Sequence, residues 1–317
     1  MENILAIDLG GTSAKCAVFS QQKEIILEFL IPTNLNNILL NIKHGIDKQF
    51  TKHQIEWSSI KAIGFAIPGF LDDKAGVITL AGNLGWKNFN IRSEARAIFN
   101  KEIYIINDAN AAALGEYWCG DYGASATLAL YTLGTGIGGG LILNGNLWTG
   151  TTGYAGEFGH GGHFQDKYPC TCGLQHCIEP VSSATGLTKL LNEQANQNPE
   201  SSLGKLKTKL GHHLKLLDIK ELFEQKDLLT TTTITEGLIP LASHIAIMLY
   251  ILNPQAIILA GGVTNLGGNL AEIINDLVKE RIGDFILPTF KIEISKLQAK
   301  AGMYGTAYYA FKNSGLL

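Results

Sequence analysis

The sequence has no long hydrophobic run and no block of basic residues. Its most apolar stretch, IAIMLYIL at 245–252, is far shorter than the roughly 20 residues that a membrane-spanning helix needs. The first residues, MENILAID, carry two acidic side chains and no basic one, unlike a secretory signal. Its 25 basic and 28 acidic residues give a net charge of −3, without a basic surface for nucleic acid or membranes. We therefore expect a cytoplasmic protein with small-molecule or protein partners, no nucleic acid and no membrane.

Cysteine is also scarce, with five residues in the chain. An odd number of cysteines without a secretory signal argues against a disulfide framework, because the reducing cytosol would not maintain one. Three of them, Cys170, Cys172 and Cys177, follow a histidine-rich run between Glu157 and Glu179. With a disulfide staple excluded, a reactive thiol or a metal clip remains for this stretch. The other two, Cys16 and Cys119, are expected in the core.

Two glycine-tipped hairpins are predicted about half a chain apart. Residues 3–19, NILAIDLGGTSAKCAVF, are apolar and rich in β-formers on both sides of Gly-Gly-Thr, and residues 126–145 repeat the plan. This weak self-similarity suggests two related lobes, which fits 317 residues at 46% hydrophobic content.

The remaining segments alternate strand and helix patterns, which indicates the α/β class. Residues 61–72 predict a strand ending in a Pro-Gly turn, and residues 102–118 a strand followed by an alanine-rich helix. Residues 184–252 are predicted mostly as helix, with an exposed polar loop at 193–202. Residues 255–265 predict a buried strand and two glycines, with a helix after them.

The chain lacks the G-x-x-x-x-G-K-[ST] pattern of a P-loop. GTGIGG at 134–139 has the spacing G-x-G-x-x-G, but it continues into the strand-like LILNG instead of opening a helix, so a Rossmann site is excluded. Two glycine turns can still present backbone N–H groups to a polyphosphate. Oxygens suited to metal or phosphate lie beside both tips, on Asp8, Thr12, Thr132 and Thr135. The alternative is that these glycines only make tight turns.

Asn107 and Asp108 fall where a buried strand is predicted to end and a helix to begin. Ligand chemistry in open α/β sheets concentrates at this edge. A carboxylate there can accept a proton from a substrate hydroxyl, and the neighbouring amide can orient that substrate. An Asp or Asn helix cap explains the same position equally well, so both interpretations stay open.

Six segments, taken in their order along the chain, resemble the ROK family of sugar kinases: DLGGTSAK, IGFAIPG, NDANAAALGE, LGTGIGGG, GEFGHGG and CTCGLQHCIE. The resemblance extends from Asp8 to about Gly262. The resemblance implies an α/β, actin-like ATPase (ribonuclease H-like) fold with two lobes and a central cleft. One lobe is expected to comprise residues 1–118 with a C-terminal helix at about 301–317. The other, 119–300, is expected to carry a zinc-binding loop and a nucleotide-binding segment.

The same resemblance implies an ATP-dependent hexose kinase, with O6 of glucose as the first candidate and an N-acetylhexosamine, fructose or another hexose as alternatives. Asp108 matches the general base. Sugar-binding positions are matched by Gly69, Asn83, Asn107, Asp108, Glu157, His160 and Glu179. ATP and Mg²⁺ are expected at Asp8, Gly10, Gly11, Thr12, Lys15, Gly134, Thr135, Gly136, Gly261 and Gly262. A homodimer or homotetramer is implied.

In the segment between Glu157 and Glu179, His160 and the three cysteines Cys170, Cys172 and Cys177 match the ligands of a structural zinc ion in zinc-containing ROK proteins. One imidazole and three thiolates fill a tetrahedron and leave no open position, as in structural zinc sites. His176 stands where the family commonly has Gly, so His163 and His176 are alternative ligands to His160. The Asn-Asp that often precedes the last helix in the family is absent.

Two non-enzymatic members of the same family are the rival hypotheses. A ROK transcriptional repressor adds an N-terminal DNA-binding domain, whereas here the first strand is predicted from residue 3 and no basic patch substitutes for that domain. A catalytically silent sugar sensor would be marked by loss of the aspartate at 108 or of a phosphate turn. Both features are kept in this sequence.

Overall fold

The computed structural model describes residues 2–317 and begins with a mixed sheet and its covering helices. Up to residue 123 the elements are β1 (Asn3–Leu9), β2 (Ser13–Phe19), β3 (Ile25–Pro32), α1 (Ile38–His53), β4 (Ile60–Ile67), β5 (Phe70–Asp72), β6 (Val77–Ala81), β7 (Trp86–Phe89), α2 (Ile91–Phe99), β8 (Glu102–Asn107) and α3 (Asp108–Cys119).

The rest of the chain adds a second sheet and a mostly helical segment. Its elements are β9 (Leu128–Leu133), β10 (Ile137–Leu143), β11 (Asn146–Trp148), α4 (Glu179–Ser182), α5 (Ala184–Gln197), α6 (Ser202–Leu210), α7 (Lys220–Glu224), α8 (Leu228–Leu252), β12 (Ala256–Ala260), α9 (Gly268–Lys279), β13 (Ile292–Ile294) and α10 (Ala301–Asn313).

The two five-stranded sheets have the same strand order. The first is β3-β2-β1-β4-β8 and the second is β11-β10-β9-β12-β13. When the five strands of each sheet are numbered by their order in the chain, both sheets have the order third, second, first, fourth, fifth. The predicted hairpin of β1 and β2 is confirmed as an antiparallel pair, and β9 and β10 are neighbours around the second glycine turn. The shared order supports the duplication that the two hairpins suggest. A separate three-stranded antiparallel sheet, β5-β6-β7, was not foreseen from the sequence.

The chain forms two compact units. The first comprises Met1–Gly123, Gly140–Gly156 and Ala299–Leu317, and the second comprises Ala124–Gly139 and Glu157–Gln298. The chain therefore passes from the second unit to the first within β10.

In the first unit, β1 lies between its antiparallel neighbour β2 and its parallel neighbour β4, and its residues are buried on both faces of the sheet. Leu5, Ile7 and Leu9 belong to the cluster that includes side chains of α1 and α2. Ile4 and Ala6, on the other side of the pleat, belong to the cluster of α3 and α10 side chains. This alternation leads Asp8, the next residue on the α10 side, towards Gly302, where an added Cβ would lie 3.6 Å from the Asp8 carboxylate.

Helix α8 is the core helix of the second unit. It runs for 25 residues through Pro240 and packs against α4, α5 and α9. Among residues 2–317 it is the one helix long and apolar enough to cross a membrane, but more than half of its most apolar window is buried inside the protein. Burial of that kind is what a core helix of a globular unit shows.

The prediction of an exposed loop at residues 193–202 is partly wrong. Helix α5 continues to Gln197 because Leu190, Leu191 and Ala195 keep a buried stripe facing inward, although the intervening residues are polar. Only residues 198–201 separate α5 from α6, where Ser201 caps the new helix through Gly204 N.

Helices α3 and α10 pack backbone to backbone at two glycines. A Cβ on Gly305 would collide with the carbonyl of Ala111, and a Cβ on Gly115 with the carbonyl of Ala301.

We expect Gly305→Ala to destabilise the protein by about 3 kcal/mol, since backbone cannot move aside as a side chain can. Gly302→Ala is the matched control in the same helix: its Cβ meets only ordinary contacts, and helix propensity favours alanine by up to ~1 kcal/mol. Equal denaturation midpoints for the two variants would contradict the close packing.

Candidate functional site

The first glycine turn joins β1 to β2 and is held by hydrogen bonds on both sides. Gly10 N donates to Ser13 O at 2.9 Å, and Thr33 Oγ1 donates to Gly10 O at 2.9 Å. Thr12 is exposed at the tip. A Cβ on Gly11 would lie 2.9 Å from Asn83 O, so this turn and the Asn83 segment approach closely. The structure thus brings two of the predicted site segments together within the first unit.

Asp8 and Lys15 face each other across the hairpin, as their cross-strand register requires. Lys15 Nζ lies 3.6 Å from Asp8 Oδ2. Burial raises the pKa of the Asp8 carboxyl, and the positive charge of Lys15 opposes that shift. The pair places one acidic and one basic group at the base of the glycine turn.

Asn107 is the N-cap of helix α3. Its Oδ1 accepts hydrogen bonds from Ala109 N at 2.9 Å and Asn110 N at 3.1 Å, and its Nδ2 donates to Gly69 O at 3.2 Å. The cap hypothesis, left open by the sequence, therefore describes Asn107. The amide also fixes the Pro-Gly turn, in which Gly69 has φ +116° and a Cβ would collide with Leu80 O.

Asp108 is the first residue of helix α3. Its Oδ1 accepts a hydrogen bond from Ala109 N at 2.9 Å. The carboxylate therefore lies at the carboxyl end of β8, the edge strand that pairs in parallel with β4, and at the positive end of a helix, where the Asn107 cap helps to fix its position. This placement is suited to a group that must be aimed at a substrate hydroxyl.

The second glycine turn, residues 134–136, lies at the carboxyl ends of β9 and β12 in the second unit. Gly134 N donates to Gly136 O at 3.0 Å, Ala184 N donates to Gly134 O at 2.8 Å, and Thr135 is exposed at the tip. Gly261, with φ +93°, approaches so closely that its Cβ would lie 2.6 Å from Leu133 O. Because β9 and β12 are parallel neighbours, the turn and the Gly261–Gly262 segment lie side by side.

Glu179 joins this turn to the histidine and cysteine loop. Its Oε2 accepts a hydrogen bond from Ile137 N at 2.9 Å and lies 4.0 Å from His160 Nε2. Its backbone N donates to Gly159 O at 3.1 Å, which ties the start of α4 to the GEFGH segment. A Cβ on Gly136 would collide with the Glu179 carboxylate. A side chain at 136 would therefore displace the Glu179 carboxylate from its present position.

Gly136→Ala is therefore expected to break the bond between Ile137 N and Glu179 and to shift the turn. We expect a loss of about 1–3 kcal/mol in unfolding free energy, together with weaker ligand binding by the second unit. Gly134→Ala in the same turn is the control, because a Cβ there meets nothing within 4 Å. The comparison uses chemical denaturation of both variants. Loss of stability in Gly134→Ala alone would contradict the assignment.

Glu157, His160 and Glu179 are brought together in the second unit. His160 N donates to Glu157 O at 3.1 Å. Burial raises the pKa of the Glu157 carboxyl, His160 opposes this shift, and the negative charge of Glu179 adds to it. Two carboxylates and one imidazole within reach of one another form a polar surface that can hydrogen-bond several hydroxyls.

The side chains of His160, Cys170, Cys172 and Cys177 converge, with all four ligand atoms within 4.8 Å of one another. His160 Nδ1 lies 3.5 Å from Cys170 Sγ, and the Sγ atoms of Cys172 and Cys177 are 3.7 Å apart. A tetrahedral zinc ion with bonds of about 2.3 Å to sulfur and 2.0–2.1 Å to nitrogen needs edges of about 3.8 Å between sulfurs and 3.6 Å between sulfur and nitrogen. The donor set fits such an ion in type and in spacing.

The three thiols of this group have pKa values shifted in different directions. Burial raises the pKa of Cys170 to about 12 and also raises the pKa of Cys177. At Cys172 burial opposes ionisation, but hydrogen bonds from the Leu174 backbone and the two neighbouring thiols outweigh it and lower the pKa. Without a cation one thiolate is favoured at the expense of the others. A bound divalent metal ion would stabilise all three thiolates.

Sequence reasoning missed a pocket of about 390 Å³ beside the second glycine turn. Its lining includes Thr135, Gly136, Thr185 and Lys189. Thr185 Oγ1 donates to Thr135 O at 2.8 Å, so the start of helix α5 is attached to the turn. The detectable signal was Ser183, which caps α5 by accepting a hydrogen bond from Gly186 N at 3.1 Å. The pattern Ser-Ala-Thr-Gly marks that helix start.

The model of the ROK family matches residues 4–313, and the chain belongs to this family. The two mixed sheets and their helices are the actin-like ATPase, ribonuclease H-like fold of ROK kinases, as the resemblance implied.

The relatives include enzymes and regulators. The chain is 33% identical to a glucokinase of Halalkalibacterium halodurans, over 95% of this chain and 92% of that protein. It is 28% identical to the xylose repressor of Caldicellulosiruptor bescii, over 96% of this chain and 76% of the repressor. Among solved structures, a ROK family glucokinase from Streptomyces griseus in complex with glucose and AMPPNP is 28% identical with a TM-score of 0.83. That match covers 98% of this chain and 99% of the other.

Proposed function

We propose that this protein is an ATP-dependent sugar kinase that transfers the γ-phosphoryl group to a hexose hydroxyl, with O6 of glucose as the first candidate. The observation that carries the proposal is Asp108, an aspartate fixed at a strand end and a helix start. The similarity to glucokinases over nearly the whole chain supports it.

In the proposed reaction, Asp108 accepts the proton of the attacking hydroxyl as the oxygen bonds to the γ-phosphorus and the bond to the leaving ADP oxygen breaks. Asn107 holds Asp108 in place by capping α3, and its remaining amide hydrogen is assigned to the sugar. The other proposed sugar contacts are Gly69, Asn83, Glu157, His160 and Glu179. Several hydroxyl contacts of this kind select for hydroxyl number and configuration, because a missing partner leaves a polar group unpaired.

ATP is assigned to the two glycine turns. The proposed contacts are Asp8, Gly10, Gly11, Thr12, Lys15, Gly134, Thr135, Gly136, Gly261 and Gly262. Backbone N–H groups of such turns bind phosphate oxygens. A Mg²⁺ ion bound with ATP would neutralise charge on the phosphates, and the Asp8 carboxylate is the acidic group beside the first turn that fits it.

Zinc is assigned to His160, Cys170, Cys172 and Cys177 as a structural ion, because four protein ligands complete the tetrahedron. His160 Nδ1 faces Cys170, which leaves Nε2 on the side of Glu179. Holding one ring nitrogen on the metal would fix the other for a sugar hydroxyl.

We also propose that the protein is located in the cytoplasm and that it forms a homodimer or a homotetramer.

A coupled ADP-release assay over glucose, N-acetylglucosamine, N-acetylmannosamine, fructose and allose tests the function. We expect ADP release that requires both ATP and one of these sugars.

The second candidate function, a non-catalytic sugar-binding regulator, is favoured by the similarity to a xylose repressor. Calorimetric sugar binding without sugar-dependent ADP release would replace the kinase by that candidate.

A further inference from the structure

A second cluster of metal-ligating side chains lies on the surface of the same loop. His163 Nε2 is 3.0 Å from Asp166 Oδ1, and His176 Nδ1 is 2.9 Å from the same oxygen. The two imidazole rings stack with centroids 3.9 Å apart and 8° between their planes. One ligand atom from each residue lies within 4.8 Å of the other two. The cluster is separate from the group formed by His160 and the three cysteines.

Backbone and amide contacts hold the two arms of this loop in register without any ion. Phe164 N donates to His176 O at 2.9 Å. Gln165 Nε2 donates to Gln175 O at 3.0 Å and to Tyr168 O at 2.7 Å, while its Oε1 accepts from Tyr168 N at 2.9 Å. The positions of all three candidate ligands are therefore set by contacts that their own side chains do not make.

We propose that His163, Asp166 and His176 bind one divalent transition-metal ion at the surface. The observed spacings of 2.9 and 3.0 Å between nitrogen and oxygen match neighbouring ligands of a six-coordinate ion, which lie about 3.0 Å apart when bonds are about 2.1 Å. Two imidazoles with one carboxylate suit Ni²⁺ or Zn²⁺ rather than Mg²⁺ or Ca²⁺, which prefer oxygen ligands. Water completes the coordination, since His163 and Asp166 are largely exposed and His176 is partly exposed.

His176 Nδ1 also lies 3.0 Å from Gln165 O. In the metal-free ring, Nδ1 therefore carries the hydrogen and shares it between Gln165 O and Asp166. Binding at Nδ1 moves the ring hydrogen to Nε2, and the two rings tilt towards the shared ion. The ion then links residues 163–166 to His176, the residue before Cys177, and closes the loop that contains Cys170 and Cys172.

Calorimetric titration of the purified, metal-loaded protein with Ni²⁺ tests the site. We expect one added equivalent of Ni²⁺, with the content of tightly bound metal unchanged by elemental analysis. His163→Ala and His176→Gly are each expected to weaken this binding by about tenfold or more while keeping the tightly bound metal. Asp166→Asn keeps an oxygen that can accept hydrogen bonds but removes the charged ligand, so it should weaken Ni²⁺ binding similarly.

His212→Ala is the matched control. His212 Nδ1 lies 3.9 Å from Asp218 Oδ2, which makes another surface histidine–aspartate pair. The His212→Ala variant should bind Ni²⁺ as the unmodified protein does. The proposal is overturned if no saturable equivalent is taken up, or if uptake is the same in His163→Ala, His176→Gly and His212→Ala. Both results are independent of kinase activity.

Discussion

Asp108→Asn is expected to lower kcat by roughly a hundred- to ten-thousandfold while leaving sugar affinity largely intact. The amide cannot accept the proton of the attacking hydroxyl, and general-base assistance contributes about that factor. Asparagine has nearly the same shape and keeps an oxygen that can accept the Ala109 N–H hydrogen bond. A purely structural role therefore predicts a stability loss of about 1 kcal/mol or less and normal turnover. Steady-state kinetics with calorimetric sugar binding separates the two roles.

Asp227→Asn is the matched control for this experiment. Asp227 caps helix α8, and its Oδ2 accepts hydrogen bonds from Thr230 N at 3.0 Å and Thr230 Oγ1 at 2.7 Å. Burial acts to raise the pKa of this carboxyl, but the Thr230 hydrogen bonds outweigh burial and lower it. We expect a reduced melting temperature and unchanged kcat. Near-normal turnover in Asp108→Asn would refute the proposed mechanism, even if every sugar contact were correct.

Cys172→Ser is expected to remove the tightly bound zinc and to lower stability and sugar affinity together. Elemental analysis of the unmodified protein, purified without added metal, should give about one zinc per chain. The loop that the zinc ion would hold continues from Cys177 to Glu179, whose carboxylate reaches Ile137 N beside the second glycine turn. Loss of the ion would therefore release the proposed sugar ligand Glu179 and the turn at once, and we expect the sugar Kd to rise about tenfold or more.

Cys119→Ser is the control for the cysteine substitution. Cys119 is an exposed thiol at the end of α3 and belongs to no metal-ligand group among the described residues. We expect its zinc content and sugar affinity to match those of the unmodified protein. Unaltered zinc content in Cys172→Ser, or folded and active unmodified protein without stoichiometric zinc, would exclude the structural zinc.

Local sequence patterns were sufficient where a short segment carries its own physical signal. The apolar arms on both sides of Gly-Gly-Thr predict the hairpin of β1 and β2, because only a tight turn joins them. The segment with Cys170, Cys172 and Cys177 left a reactive thiol or a metal clip open, and the resemblance favoured the clip. The structure brings the four proposed ligands together. Polarity alone misled at 193–197, where a buried stripe continues helix α5.

The interpretation of Asn107 and Asp108 needed the structure. Both residue types cap helices, and their sequence position was compatible with a cap or with chemistry for either one. The hydrogen bonds to Ala109 N and Asn110 N identify Asn107 as the cap, which leaves Asp108 as the first residue inside the helix. A shift of one residue in the helix start would exchange the two roles, and only the structure shows where the helix starts.

The sequence by itself determined the class of fold, the two glycine turns and the residue types of the candidate site, because these depend on local backbone freedom and side-chain chemistry. Only the tertiary structure decided which groups meet. It showed that Glu179 reaches Ile137 N across 42 positions, that Gly261 lies against Leu133, and that His163 and His176 form a group separate from His160. Such contacts follow from the packing of strand ends and loops distant in sequence, which no local pattern encodes.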